Sequence, residues 1–431
     1  MRILIISDVY FPRVNGVSTS IQTIVRELRS LGDAVTTIVP DYPGSASEDG
    51  LIRIPSSRVP FDAEDRRMCY GEALRAGVRV GEAGVDLIHI QTPFVAHYVG
   101  IKLGRRFGVP VIATYHTVFE EYLHHYVPLV PRPWMKKLAR GFSRRQCDQV
   151  DAVIVPSPPV RDLLRRYGAR APMHVLPTGI PEDWFGSGDG AAFRARHGIE
   201  PRRPMLLFVG RVALEKNIEF LLHVLRRVQH SWPEVLLVIA GEGPARVPLE
   251  TAARSLDLAA NVRFVGYLDR EGALRDCFRA ADVFVFSSRT ETQGLVLLEA
   301  MASGVPVVSI AELGTLDVLR QMHGCFIAPL EVDGFARRVL AVVGDRKLHA
   351  RLASSAIEWA REWTAPRLAS RLRAIYASVG PGLPGRGSRP DPLRSGDQRW
   401  SGDRSLRVIE ADAPDLVELP LEPQRIERGK G

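Results

Sequence analysis

Cysteine is scarce: Cys69, Cys147, Cys277 and Cys325 are scattered through 431 residues. No CxxC pair or Cys/His cluster exists, so a structural zinc site is not expected. Isolated thiols fit a reduced cytoplasm better than a disulfide framework. Long apolar runs are also missing. No stretch approaches the roughly 20 residues of a membrane-spanning helix, although 45% of residues are hydrophobic, enough for an ordinary soluble interior. The opening MRILIISDVYF is not read as a signal peptide, because its short apolar run starts almost at Met1 and meets Asp8. It reads as a first buried strand. No G-x-G-x-x-G follows that strand, and no acidic residue is placed for a dinucleotide ribose, which argues against an oxidoreductase. Signatures of helix-turn-helix, zinc-finger or RNA-binding modules are absent too. What the chain does have is a formal net charge of +8. That favours an anionic partner, whether a phosphorylated substrate, an acidic lipid surface or nucleic acid, and it equally suits an uncommitted basic surface.

The length suggests two domains. Apolar runs at Ile3–Ile6, Ala34–Val39, Leu87–Ile90, Val109–Ala113 and Ala152–Val155 read as short buried strands. After Gly16, residues Val17, Ile21, Ile24, Val25, Leu28 and Leu31 recur at helical spacing. Strands alternating with helices imply a parallel α/β sheet, here over residues 1–176. The segment 177–200 is rich in Pro and Gly and reads as a linker. The alternation then restarts over 201–356, with strand candidates Met205–Val209, Val235–Ala240, Val262–Val265, Val283–Phe286 and Val305–Ile310. Residues 357–378 resume a helical pattern broken near Pro366. From 379 to 431 Gly, Pro, Ser and charge dominate, the composition of a disordered tail in which 406–420 are able to order on a partner. Two doubly wound halves enclose a cleft, and ligands of such sheets bind beyond the carboxyl ends of the strands.

Several chemically capable residues fall just there. In FVGRVALEKN, Arg211 and Lys216 follow a strand. An arginine that grips two oxygens and a mobile ammonium suit a diphosphate and can replace a metal in stabilising a departing nucleotide. An exposed loop pairing these cations with Glu215 or Glu219 is the alternative. VIAGEGP places Gly241, Gly243 and Pro244 in a tight turn where backbone can approach a ligand, though most such turns only connect elements. The stretch ETQGLVLLEA puts Glu291 in a loop and Glu299 inside the following helix, with Gly294 near its start. Backbone N–H groups at such a start suit a phosphate. A carboxylate inside the helix can accept from ribose hydroxyls, and one in the loop can hold sugar hydroxyls. The plainer reading is one exposed glutamate and one near a helix N-terminus. In the first half, Asn15-Gly16 precedes a helix whose amides can meet a phosphate or the transferred sugar. VIATYHTVFEEYLHH ends a strand at His116 and Thr117. A histidine there can bond a sugar or titrate near neutral pH. Glu120, Glu121, His124 and His125 follow without any recognised ligand spacing, so no metal is assigned. Finally, VPRPWMKKLARGFSRRQ gathers Lys136, Lys137, Arg140, Arg144 and Arg145 with Trp134, Met135, Leu138 and Phe142. Such a basic amphipathic helix fits an anionic lipid surface, or else packs one apolar side on the sheet.

Gly-Arg-x4-Lys, Gly-Glu-Gly-Pro and Glu-x7-Glu before GVPVV, in that order, resemble the retaining nucleotide-sugar glycosyltransferases of the GT-B fold, glycosyltransferase family 4. The resemblance covers roughly residues 1–378. It implies two facing Rossmann-like domains with a C-terminal helix returning to the first. It implies that Arg211 and Lys216 bind the donor diphosphate, Glu299 the ribose and Glu291 the donor-sugar hydroxyls. The Gly294 and Leu295 amides would touch phosphate or sugar, Gly16 the diphosphate, and His116 the sugar near the reacting carbon. No metal or other cofactor is implied; the donor would be a UDP- or GDP-hexose. Gln293 stands where many relatives carry an aromatic residue. ETQGL and YHTVFEEYLHH are similar to bacterial diacylglycerol glucosyltransferases, which implies a lipid acceptor and a cytoplasmic enzyme peripheral to the inner face of the membrane.

Within the class, a soluble or polysaccharide acceptor is the rival, as is a non-catalytic nucleotide-sugar-binding protein of the same fold. Paired carboxylates also occur in glycosidases, but a hydrolase needs no cationic diphosphate loop.

Overall fold

The structure is a computed structural model that describes residues 1–45, 48–59, 62–116, 132–270 and 272–379. Thr117, Glu120, Glu121, His124, His125 and the expected tail lie outside the described residues.

The apolar runs become strands of two parallel sheets. The first half contains β1 (Arg2–Ile6), β2 (Ala34–Pro40), β3 (Leu51–Ile54), β4 (Ser56–Val59), β5 (Asp62–Met68), β6 (Leu87–Ile90), β7 (Val111–Thr114), β8 (Ala152–Val155) and β9 (Met173–Val175). Its main sheet runs β3-β2-β1-β6-β7-β8-β9, while β4 and β5 pair antiparallel as a separate ribbon. The second half contains β10 (Met205–Val209), β11 (Leu236–Ala240), β12 (Val262–Gly266), β13 (Val283–Phe286), β14 (Val307–Ser309) and β15 (Cys325–Ile327), in the order β12-β11-β10-β13-β14-β15. Each sheet winds outward in both directions from a central pair, β1/β6 and β10/β13. Those pairs are the topological switch points where a crevice opens.

Five strands were missed in the sequence: β4 and β5, the polar antiparallel ribbon, and β3, β9 and β15, which are sheet edges of three or four residues. The two parallel edges β3 and β9 are only partly buried and include Arg53 and His174, so no continuous apolar run marks them. The strands expected from Val109 and Val305 begin only at Val111 and Val307. Pro110 and Pro306 supply no N–H to a ladder and stand just before them.

Strand alternation divides the first core into two layers. Leu4 and Ile6 face one cluster, Ile3 and Ile5 the other. The helix Ala365–Val379, with Pro366 in its first turn, lays Leu368, Leu372 and Tyr376 onto the second of these layers. The chain thus leaves the second half and returns to the first. The segment 177–200, expected as a linker, carries a 3₁₀ turn at Glu182–Trp184 and a helix at Gly190–Arg196. Trp184 and Phe193 are buried in the core of the second sheet. A Cβ on Gly190 would lie 2.4 Å from the Arg279 carbonyl oxygen. This glycine serves close packing, which composition cannot distinguish from flexibility.

Candidate active site

The loops beyond β10 and β13 meet at the switch point of the second sheet. The loop after β10 runs through Arg211 into a 3₁₀ turn at Leu214–Lys216. Ser287, just past β13, donates its hydroxyl to the carbonyls of Lys216 (3.2 Å) and Asn217 (2.9 Å), lashing the two loops together. The consequence is a charge pair invisible in the sequence: the Lys216 ammonium donates to Glu291 Oε1 at 2.5 Å. Burial pushes the Glu291 carboxyl up, but the charge and hydrogen bond of Lys216, with a smaller contribution from Ser288, more than offset this, and the net shift is downward. Arg211 stands apart, its guanidinium 3.9 Å from Glu215 and 39% exposed.

The Gly-Glu-Gly-Pro turn has a different role from the one its glycines suggest. A Cβ on Gly241 would lie 2.0 Å from the Gly210 carbonyl oxygen, and one on Gly243 2.4 Å from that of Val212. Val212 N–H donates to the Glu242 carbonyl, and Ala245 N–H to that of Val212, both at 2.9 Å. The glycines let this turn support the Arg211–Lys216 loop by backbone contact.

Gly294 precedes the helix Leu295–Ala302 at φ +83°, a left-handed conformation that favours glycine. Within that helix Glu299 is buried and paired with Arg270. Trp184 holds this corner: its indole N–H donates to the Glu299 carbonyl at 3.0 Å, and Arg270 and Arg275 lie 5.0 and 5.2 Å from its ring.

The first half closes onto the same loop. Thr292 donates its hydroxyl to the His116 carbonyl, and Ser157 donates to the Thr292 carbonyl, each at 2.9 Å. The Gln293 amide brackets Thr178, accepting from its N–H and donating to its carbonyl, both at 2.8 Å. Glu291 is thereby carried on a loop that rests on His116. His116 sits at the end of β7, with Nε2 2.8 Å from Gln91 Oε1, and burial pushes its pKa down to about 4. Gly16 opens the helix Gly16–Ser30, capped by Asn15, whose side chain accepts from Ser18 N–H at 2.9 Å. A Cβ at Gly16 would meet nothing within 4 Å. Packing within the chain does not demand glycine there, and the space is open to a ligand.

Of the expected site residues, the fold joins Lys216 to Glu291 and brings both to His116 through Thr292. It sets Glu299, Gly294 and Leu295 on the adjoining helix, while Arg211 pairs with Glu215 and Gly16 opens its own helix in the first half. Gln91 and Arg270 were missed, though both follow strands and the same placement rule would have found them. Thr292, by contrast, lies inside the quoted motif without any charge to mark it.

Among the described residues no group of three or more His, Cys, Asp or Glu is arranged for a metal. Nor is any described helix long and apolar enough to cross a membrane. All four cysteines are unpaired thiols. In the helix Arg132–Cys147, Met135, Ala139 and Ser143 face inward. Gln146 and Ser143 tie it down, the former to the Pro93 carbonyl at 2.5 Å and the latter to the Tyr115 hydroxyl at 3.0 Å. Trp134 and Leu138 point outward, 71% and 66% exposed, together with Lys136, Lys137, Arg140, Arg144 and Arg145. Arg140 also lies 5.6 Å from the Tyr167 ring.

Comparison with known proteins bears on family and fold. Residues 14–184 match the family model described as Glycosyltransferase Family 4, and residues 189–359 match Glycosyl transferases group 1. The chain is 39% identical over 320 residues to the alpha-monoglucosyldiacylglycerol synthase of Streptococcus pneumoniae, covering 72% of this chain and 71% of that one. It is 28% identical to a GDP-mannose-dependent alpha-mannosyltransferase of Mycolicibacterium smegmatis, covering 88% and 98%. Among solved structures, sucrose-phosphate synthase from Thermosynechococcus elongatus superposes with a TM-score of 0.73 at 23% identity, covering 88% and 98%.

Proposed function

Because the chain belongs to the glycosyltransferases of family 4, with the two facing sheets of the GT-B fold, we propose that it transfers a hexose from a nucleoside-diphosphate sugar to a membrane lipid such as diacylglycerol, with retention at the anomeric carbon. The observation that carries this reading is the Lys216–Glu291 pair, set at the switch point of the second sheet and seated on His116 through Thr292. Transfer leaves a nucleoside diphosphate with growing negative charge. In this reading Lys216 and Arg211 neutralise it, and preorganised charge of this kind is the largest usual contribution to such catalysis. The bonded ammonium then exchanges part of its attraction to Glu291 for the diphosphate, and the carboxylate is released to accept from donor-sugar hydroxyls. Gly16 and the amides of Gly294 and Leu295 line the approach of phosphate and sugar. Glu299 receives the ribose hydroxyls in place of Arg270. The acceptor hydroxyl attacks on the face from which the diphosphate departs: the anomeric carbon–phosphate oxygen bond breaks, the new glycosidic bond forms, and the hydroxyl proton passes to the departing phosphate oxygen, with His116 beside the sugar.

The lipid acceptor rests on the name of the pneumococcal relative and on the outer face of Arg132–Cys147. Exposed Trp134 and Leu138 among five cations suit insertion at an anionic surface. Phe94 and Tyr98, 55% and 52% exposed, line an apolar groove with Phe142 of that helix and extend the same surface. This arrangement supports a peripheral position at the inner face of the membrane.

The test is nucleotide release from UDP-glucose, UDP-galactose, UDP-N-acetylglucosamine and GDP-mannose, each with and without anionic vesicles containing diacylglycerol. Vesicle-dependent release with a new glycolipid is the expected result and names the donor. Release without glycolipid would point to hydrolysis or a soluble acceptor, and silence with every donor would count against transfer from these sugars.

A further inference from the structure

Three buried groups behind His116 are not used by the mechanism above. His89, Gln91 and Tyr376 are each exposed by 1% or less. They form a chain of contacts: the Tyr376 hydroxyl lies 2.6 Å from His89 Nδ1, and Thr114 Oγ1 lies 2.6 Å from His89 Nε2. The Gln91 amide nitrogen lies 3.0 and 3.2 Å from the two His89 ring nitrogens, and its oxygen meets His116 Nε2 at 2.8 Å. Tyr376 belongs to the returning helix Ala365–Val379, 287 residues away from His89 in the chain.

Burial holds both imidazoles neutral at neutral pH, with His116 pushed down to about 4 and His89 to about 3, the latter also by the nearness of His116. A neutral imidazole has one N–H and one lone pair, and its surroundings decide which nitrogen has which. The single N–H of His89 is directed at a hydroxyl, that of Tyr376 or Thr114, each 2.6 Å from a ring nitrogen; an amide oxygen turned toward His89 would find no free N–H, so the amide NH2 group belongs there. That leaves Gln91 Oε1 for His116, and an oxygen accepts only from an N–H.

We propose that Gln91 is a positioning residue that fixes His116 as the Nε2–H tautomer, leaving Nδ1 as a hydrogen-bond acceptor, and that Tyr376 and His89 hold Gln91 in that orientation. The inference rests on the reading of His116 as the group beside the donor sugar. It makes the docking of the C-terminal helix a condition for a correctly oriented histidine, since the hydroxyl that ends the relay arrives with that helix. An Nδ1 acceptor requires a donor opposite it, which a sugar hydroxyl supplies.

The test uses the full chain labelled with 15N on histidine, with the His116 resonances identified by their loss in His116→Asn. The expected ring shifts are those of a protonated Nε2 and an unprotonated Nδ1. Gln91→Leu, close in volume but without an acceptor, is expected to give a mixture of tautomers. It should lower kcat about ten- to a hundredfold, the range for one lost hydrogen bond, while donor KM changes less than about threefold. Should Gln91→Leu fail to fold, Tyr376→Phe keeps the ring and removes only the hydroxyl, and a shift of the His116 tautomer ratio is expected there as well. A protonated Nδ1 in the unsubstituted protein, or a tautomer ratio unmoved in the folded variants, would overturn the proposal. So would an altered ratio with unchanged kcat. The ring shifts are read without substrate, so a failure of the transferase reading appears separately, as absence of turnover in the unsubstituted chain.

Discussion

At Lys216 two requirements meet: the ammonium compensates Glu291 inside the fold and is offered to a leaving diphosphate during transfer. Lys216→Ala is therefore expected to lower kcat by at least about 100-fold, checked by nucleotide release with saturating donor; full activity would remove Lys216 from the mechanism. The same substitution leaves burial to push the Glu291 carboxyl up, so any residual activity should acquire a new acid limb. The buried histidines make a second prediction. His116 and His89 are pushed from 6.5 to about 4 and about 3 by burial. Between 6.5 and 4 the unfolded chain binds protons that the folded chain refuses, so each loses stability as pH falls, by up to about 1.4 kcal/mol per unit. Asp8, raised from 3.8 to about 6 by burial, acts oppositely over nearly the same range. Two imidazoles outweigh one carboxyl, and the melting temperature should fall from pH 6.5 to 4.5, less steeply in His89→Asn. A flat profile would contradict the burial of these rings. Lys216 and Glu291 were legible singly, because charged residues after strands are conspicuous. Their pairing was not, because 75 residues separate them and no periodicity spans that distance.

Between strand and helix, the loop Arg289–Gly294 depends on its closing glycine. Gly294→Ala forces a side chain into φ +83° and brings its Cβ within 2.9 Å of Leu297 Cδ1. The backbone alone should cost about 1–2 kcal/mol, measurable by denaturant unfolding. Donor affinity should fall with it, because the loop that seats Glu291 shifts. The helix Arg132–Cys147 carries a prediction of another kind. Combining Lys136→Glu, Lys137→Glu and Arg140→Glu reverses three charges at the outer face, each original cation worth about 1 kcal/mol at an anionic surface. Sedimentation with anionic vesicles should drop more than tenfold while nucleotide binding stays unchanged; retention on vesicles would reject this face as the anchor. The amphipathic character of this helix was evident in sequence. Which apolar residues face inward was not: the fold buries Met135 and turns Trp134 outward.

For the whole molecule, Gln293 ties the second half to the connecting segment at Thr178, whose hydroxyl lies 2.7 Å from that of Ser20 in the first half. Gln293→Ala removes both bonds to the Thr178 backbone and should cost about 1–3 kcal/mol. A larger radius of gyration by small-angle scattering, with a raised donor KM, is the expected outcome, and unchanged values would show the two halves held together elsewhere. Its amide gives a role to the polar residue that stands where many relatives carry an aromatic: it satisfies a backbone donor and acceptor of Thr178. The sequence by itself determined the alternation of strand and helix, the two parallel sheets, and the rule that chemistry gathers beyond strand ends, because burial periodicity and turn residues act over a few neighbours. Only the tertiary structure decided that Lys216 meets Glu291, that Arg270 rather than solvent meets Glu299, and that Tyr376 comes to stand behind His89. Those contacts join residues far apart in the chain, and their existence depends on how the two sheets and the returning helix pack.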